Sequence, residues 1–164
     1  MPERLTIHRL GHRGDGIAET REGPIHVAGA LPGEMVEAEP DGRDRSRMTG
    51  IVAPSPERIA PPCVHFGGCG GCVAQHMAPD LYHRWKGGTL AAELARRGLE
   101  TKVQANLEVP PRSRRRVVLA LGRREGRPVL GFHAARSGTI VEVPGCLVAE
   151  PAIVAALPAL VALL

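Results

Sequence analysis

The chain has 164 residues, 43% of them hydrophobic, and 21 basic against 17 acidic side chains give a net charge of +4. That balance supports a packed core of one or two domains and excludes a disordered or membrane-embedded chain. Only four aromatic residues occur, Phe66, Tyr82, Trp85 and Phe132, a poor supply for a main reader of unpaired bases.

Short alternating runs predict strands near Leu5–Arg9, Ile17–Thr20, Ile25–Val27, Met35–Ala38 and Met48–Val52, enough to close a small β-barrel. Gly11-His-Arg-Gly14-Asp-Gly16 lies between the first two and reads as a hairpin turn. A nucleotide-binding glycine loop needs a strand, the turn and then a helix, and that order is missing. The charged segment Asp41–Ser46 reads as a surface loop. Prolines from Pro54 through Pro62 mark a domain boundary. Residues 1–62 hold eight basic and ten acidic side chains, a balance of −2.

Cys63-Val-His-Phe-Gly-Gly-Cys69-Gly-Gly-Cys72 follows, and Cys146 is the fourth and last cysteine. Thiolates bind soft or borderline metal ions, and the interspersed glycines let the backbone turn so that neighbouring sulfurs converge. Four thiolates complete either a tetrahedral zinc site or a cubane iron–sulfur cluster. No signal peptide or apolar span precedes the cysteines, so a cytoplasmic, reducing location is expected and disulfides are not. Spacing alone leaves zinc and iron–sulfur open. His65 and His76 could each serve as a zinc ligand, but both read first as residues at the surface or just outside the ligand set.

Past the cysteines, Pro79-Asp80 predicts a helix start with Asp80 as N-cap, and Gly98 a stop. On that helix Leu81, Trp85, Gly88, Ala92 and Ala95 share one face while Leu90 and Leu94 lie opposite, so two partners are expected. Strands are predicted at Arg116–Leu121, Pro128–Phe132 and Thr139–Val143, the last leading into Cys146. Arg112, Arg114, Arg115, Arg116, Arg123, Arg124 and Arg127 stand against Glu125 alone between residues 112 and 127, a balance of +6. Guanidinium groups at that density suit phosphate contacts; a merely solvated hairpin is the bland alternative. The apolar stretch Ala152–Leu164, interrupted by Pro158, is too short to cross a membrane and reads as part of a core helix.

Residues 1–62, with Leu5–Glu19, Pro24–Val27, Gly29–Val36 and Gly50–Val52, resemble the TRAM domain, a small RNA-binding β-barrel. The run Cys63–Cys72 with Gln75, then Tyr82, Trp85-Lys86, Leu94, Arg97-Gly98, Ser113–Arg116, Gly131-Phe132, Ser137, Ile140-Val141 and Cys146, resembles the ribosomal RNA uracil-C5 methyltransferases of the 23S type. The resemblance covers nearly the whole chain.

It implies a mainly β fold with some α. Residues 1–58 would form an OB-like TRAM barrel and residues 59–164 a small α+β iron–sulfur domain, with helix 80–98 docking on a methyltransferase module. Cys63, Cys69, Cys72 and Cys146 would hold a 4Fe–4S cluster. RNA, ribosomal RNA in particular, would be the partner of a monomeric protein. Relatives often carry an aromatic residue just before the arginine run, where Ser113 stands here. The family's Rossmann-like module, with its S-adenosylmethionine pocket and catalytic cysteine, would follow the region seen here. These 164 residues alone are therefore expected to be catalytically incompetent. The alternative is a free-standing RNA-binding adaptor with a zinc or iron–sulfur site and no chemistry of its own.

Overall fold

A computed structural model describes residues 2–104 and 106–163, which are mainly β with two helices. They divide into two compact units, Met1–Ala60 with His76–Asn106, and Pro61–Gln75 with Leu107–Leu164.

The first unit contains β1 (Glu3–Thr6), β2 (Arg9–Leu10), β3 (Gly16–Thr20), β4 (Gly23–Val27), β5 (Met35–Pro40) and β6 (Arg45–Ala53). They form one sheet in the order β1-β5-β6-β4-β3-β2, antiparallel except for β4 beside β6. β1 and β2 occupy opposite edges yet are joined by Ile7 and His8 alone, so the sheet must curl. Ile7 N–H donates to Glu34 O and His8 N–H to Ile17 O, each at 2.9 Å. This crossing explains why the single strand expected at Leu5–Arg9 is two strands.

Leu5, Ile7, Ala18, Val27, Ala30, Val36 and Ala38 fill the inside of the curl, with Ile25 and Met48 against them. A fully buried Val, Leu or Ile contributes about 1.5–3 kcal/mol. Gly16 is required there, because a Cβ would stand 2.7 Å from Ala30 O and 2.9 Å from Ile7 Cγ2. The expected turn at residues 11–16 is present between β2 and β3, closed by Gly11 N–H to Asp15 O at 2.8 Å. The expected loop at Asp41–Ser46 is shorter, because Arg45 and Ser46 pair with His26 and Val27 at the start of β6.

Helix α1 (Pro79–Ala95) falls in the same unit as this sheet, held at the loop before β3 and the segment after β6, whereas the sequence grouped it with the cysteine-bearing portion. Ala78 N–H donates to Glu57 O at 2.8 Å, Ile59 N–H to His76 O at 2.9 Å, and the Trp85 indole to Gly11 O at 2.8 Å. Arg84 also pairs with Glu57. Asp80 is not the N-cap; Ala78 is, and Asp80 sits in the first turn, where its charge complements the helix dipole. Gly98 ends the helix as expected. Its φ is 74°, Leu99 N–H reaches Leu94 O at 3.0 Å and Gly98 N–H reaches Ala95 O at 2.9 Å, a Schellman closure. Leu81 is the helix's buried residue, while Gly88, Leu90, Ala92 and Ala95 are exposed.

The second unit holds β7 (Ala120–Arg124), β8 (Arg127–His133) and β9 (Ile140–Val141) in that order, all antiparallel, and helix α2 (Pro151–Ala162). β7 begins four residues later than the expected Arg116–Leu121. Glu125 and Gly126, with φ of 53° and 81°, make a two-residue turn that pairs Arg124 with Arg127 and sets this register. Residues 112–114 instead run beside 147–149, with Arg112 N–H on Leu147 O at 2.8 Å and Glu150 N–H on Arg114 O at 3.0 Å. On α2 only Leu157 is buried among the described residues, while Leu160 is 44% exposed, unlike the core helix expected. No described helix is long and apolar enough to cross a membrane.

Candidate functional site

Cys63, Cys69, Cys72 and Cys146 line one cavity of about 40 Å³, together with His65, Phe66, Gln75 and Phe132. A single water needs roughly 10–15 Å³ by the same kind of measure. None of the four is disulfide-bonded and each is partly buried. The sequence distance of 74 residues between Cys72 and Cys146 is closed by the second unit's own packing.

Backbone contacts shape the three-thiol loop. Phe66 N–H donates to Cys63 O at 3.0 Å, Cys69 N–H to His65 O at 2.8 Å, and Gly70 N–H to His133 O at 2.9 Å. The last bond brings the loop against the end of β8 so closely that a Cβ on Gly70 would stand 2.8 Å from His133 O and 2.9 Å from Ala135 N. Gly71 N–H points at Cys69 Sγ from 3.4 Å, a donor aimed at a sulfur. Gln75 meets two of the cysteines. Its Oε1 accepts Cys63 N–H at 3.2 Å, and its side chain hydrogen-bonds the Cys72 thiol.

Cys146 is presented by a turn in which its N–H reaches Val143 O at 3.1 Å. His65 Nε2 accepts Gly145 N–H at 3.4 Å, linking this turn to the cysteine loop. His65 therefore lies at the rim of the thiol site. His76 is not there: it is 1% exposed in the first unit, near Glu34 and Arg58.

Burial pushes the Cys72 thiol up; the neighbouring Cys69, Cys146 and Cys63 charges push it the same way, and the Gln75 hydrogen bond opposes them. Four soft donors that repel one another when ionised suit a cationic centre, which would remove the repulsion. Among the described residues, however, no three of His, Cys, Asp and Glu form a group that could hold a lone metal ion.

All seven arginines are exposed in the second unit. Arg112, Arg114, Arg115 and Arg116 precede β7; Arg123, Arg124 and Arg127 flank the hairpin turn. Two of them are engaged locally. Arg123 Nη1 donates to Gly126 O at 3.0 Å, and Arg124 pairs with Glu142 at 3.5 Å and donates to Ile140 O at 2.5 Å. Arg115, Arg116 and Arg127 have no side-chain hydrogen bond or ion pair among the described residues. Arg114 also lines the thiol cavity.

No family model matches the chain. It is 46% identical over 150 residues to an uncharacterized RNA methyltransferase of Caulobacter vibrioides, covering 89% of this chain and 36% of the relative. Identity to an uncharacterized RNA methyltransferase of Mesorhizobium japonicum is 40% over 149 residues, 91% of this chain and 35% of the relative. It is 37% over 158 residues to the 23S rRNA (uracil(1939)-C(5))-methyltransferase RlmD of Alkalilimnicola ehrlichii, 91% of this chain and 36% of the relative. By sequence, this chain is similar to RNA methyltransferases. It spans about a third of the length of these curated relatives. A match over 91% of 164 residues necessarily takes in the whole stretch from Cys63 to Cys146.

Sequence reasoning missed the buried pair of Glu34 and Arg58, which joins the sheet to the segment after β6. Gly33-Glu34-Met35 looks like an ordinary exposed turn, and only tertiary packing makes Glu34 fully buried.

Proposed function

We propose that this chain is the RNA-gripping, cluster-bearing part of an S-adenosylmethionine-dependent 23S rRNA uracil-C5 methyltransferase. Cys63, Cys69, Cys72 and Cys146 hold a 4Fe–4S cluster, the curled sheet is a TRAM-type barrel, and the arginines at 112–127 contact RNA phosphates. The observation that carries the reading is the convergence of all four thiols on one cavity, in a chain similar to RNA methyltransferases.

Zinc holds its thiolates close, with Zn–S bonds of about 2.3 Å; a cubane keeps its four ligating sulfurs farther apart, in keeping with thiols that line one cavity while no three ligating side chains among the described residues are grouped for a lone ion. The cluster would supply an architectural tie between the cysteine loop and the turn at Cys146. Gln75 orients two sides of the loop, and the Gly71 N–H meets a ligating sulfur. S-adenosylmethionine would donate the methyl group in the whole enzyme. With its four thiols committed to metal, this chain has no cysteine free to attack a uracil ring.

Iron and acid-labile sulfide analysis of anaerobically purified protein tests the centre. About four irons per chain and a brown colour support the cluster. A colourless protein with one tightly held zinc would sink it.

A further inference from the structure

Two of the four aromatic residues, Tyr82 and Trp85, lie about one turn apart on α1. Their ring centroids are 6.0 Å apart with planes tilted by 57°, and the His83 ring stands 5.9 Å from Tyr82. All three are half-buried, so each is held in place and still meets solvent. The Trp85 indole N–H, bound to Gly11 O, fixes the ring against the loop between β2 and β3.

The loop is closed by its own hydrogen bonds. Gly11 O also accepts Gly14 N–H at 3.0 Å, and Gly14 takes a φ of 86° that favours glycine. His12 and Arg13 are exposed at its tip, next to the carbonyl that holds the indole. Over the Trp85 ring stands the Lys86 ammonium, 5.3 Å from the centroid. Of the other cations on these elements, Arg9 is paired with Glu19 and Arg84 with Glu57. Arg13 has no ion-pair partner among the described residues.

Half-buried, partly open rings flanked by cations with no ion-pair partner among the described residues match single-stranded nucleic acid, whose bases stack while its phosphates seek positive charge. A duplex hides its base faces and gains nothing from the rings. A base arriving on Trp85 would replace the Lys86 ammonium, leaving that charge for the neighbouring phosphate. We propose that Trp85, Tyr82, Lys86 and Arg13 form a stacking site for an unpaired base of single-stranded RNA, built on a different unit from the arginines at 112–127. The site rests on the reading that this chain binds RNA, and it names the element that meets an unpaired base.

Trp85 is the sole tryptophan, so its emission reports on this site alone. Single-stranded oligouridylate should quench that emission with the same midpoint as the anisotropy rise of a labelled copy. Trp85→Ala should weaken binding about tenfold, and Trp85→Phe should recover most of the loss. Should Trp85→Ala fail to fold by circular dichroism, the quench and the Arg13→Ala/Lys86→Ala double variant decide, the latter by weaker binding. Anisotropy-detected binding with unchanged emission, or with full affinity in Trp85→Ala or in the double variant, overturns the site and leaves the proposed function standing. No binding of oligouridylate or of a ribosomal RNA fragment by either readout overturns both.

Discussion

Glu34 and Arg58 meet in a two-pronged ion pair, with Nε 2.6 Å from Oε1 and Nη2 2.8 Å from Oε2. Leu31 N–H and Ser55 N–H complete the carboxylate's partners, and Arg58 also donates to Gly29 O. One side chain thus ties the segment after β6 to the inside of the sheet. Removing one partner leaves the other charge buried, so Arg58→Ala should cost about 3 kcal/mol, measured by urea unfolding.

The same region sets the response to acid. Burial pushes the Glu34 carboxyl up, but Arg58 and the two backbone donors overcome it and hold it below 4.5. Its contribution is complete above that value and is lost as pH falls through the lower folded value. Burial, aided by the Arg58 charge, pushes His76 down from 6.5 to about 4. The unfolded chain therefore takes up that proton first, and stability falls between pH 6.5 and about 4, by on the order of 3 kcal/mol. In His76→Leu that first decline should vanish and the Glu34 decline remain. An unchanged pH profile in this variant would count against it.

Cys146→Ser should lower metal content and destabilise the second unit while leaving the first folded. Metal analysis and hydrogen exchange check the two halves of this outcome. Full metal content would mean a different fourth ligand, with His65 the nearest candidate.

Gly70→Ala tests the fit of the loop without touching a thiol. Its Cβ would meet backbone atoms at 2.8 and 2.9 Å, and backbone cannot swing aside as a side chain can. Metal loading should fall with all four cysteines intact, as read by the visible absorbance of the purified protein.

Arg114→Ala/Arg115→Ala/Arg116→Ala should lower the log–log salt slope of RNA binding by about two to three. A wild-type slope would make these arginines solvation only. The 164 residues alone should transfer no methyl group from labelled S-adenosylmethionine to unmodified ribosomal RNA.

Local signals were legible where chemistry is local. The glycine-spaced thiols, the alternation Val36 and Ala38 in against Glu37 out, and the stop at Gly98 can all be read from neighbours. The register of β7 could not, because the Glu125–Gly126 turn fixes it against the pull of the apolar run Val117–Leu121. The placement of α1 was equally hidden: its anchor is a bond between Trp85 and Gly11, 74 residues apart. A histidine followed by a methionine carries no sign that His76 is almost wholly enclosed.

Each unit is made of two stretches of chain, so the polypeptide passes from one to the other three times. During synthesis this imposes an order of events. The three-thiol loop is made between the two halves of the first unit, and Cys146 follows Cys72 only after 74 more residues. At about 5–20 residues per second, that is a delay of roughly 4 to 15 s. Three of the four thiols that would hold the proposed cluster must wait through that interval before the fourth is made.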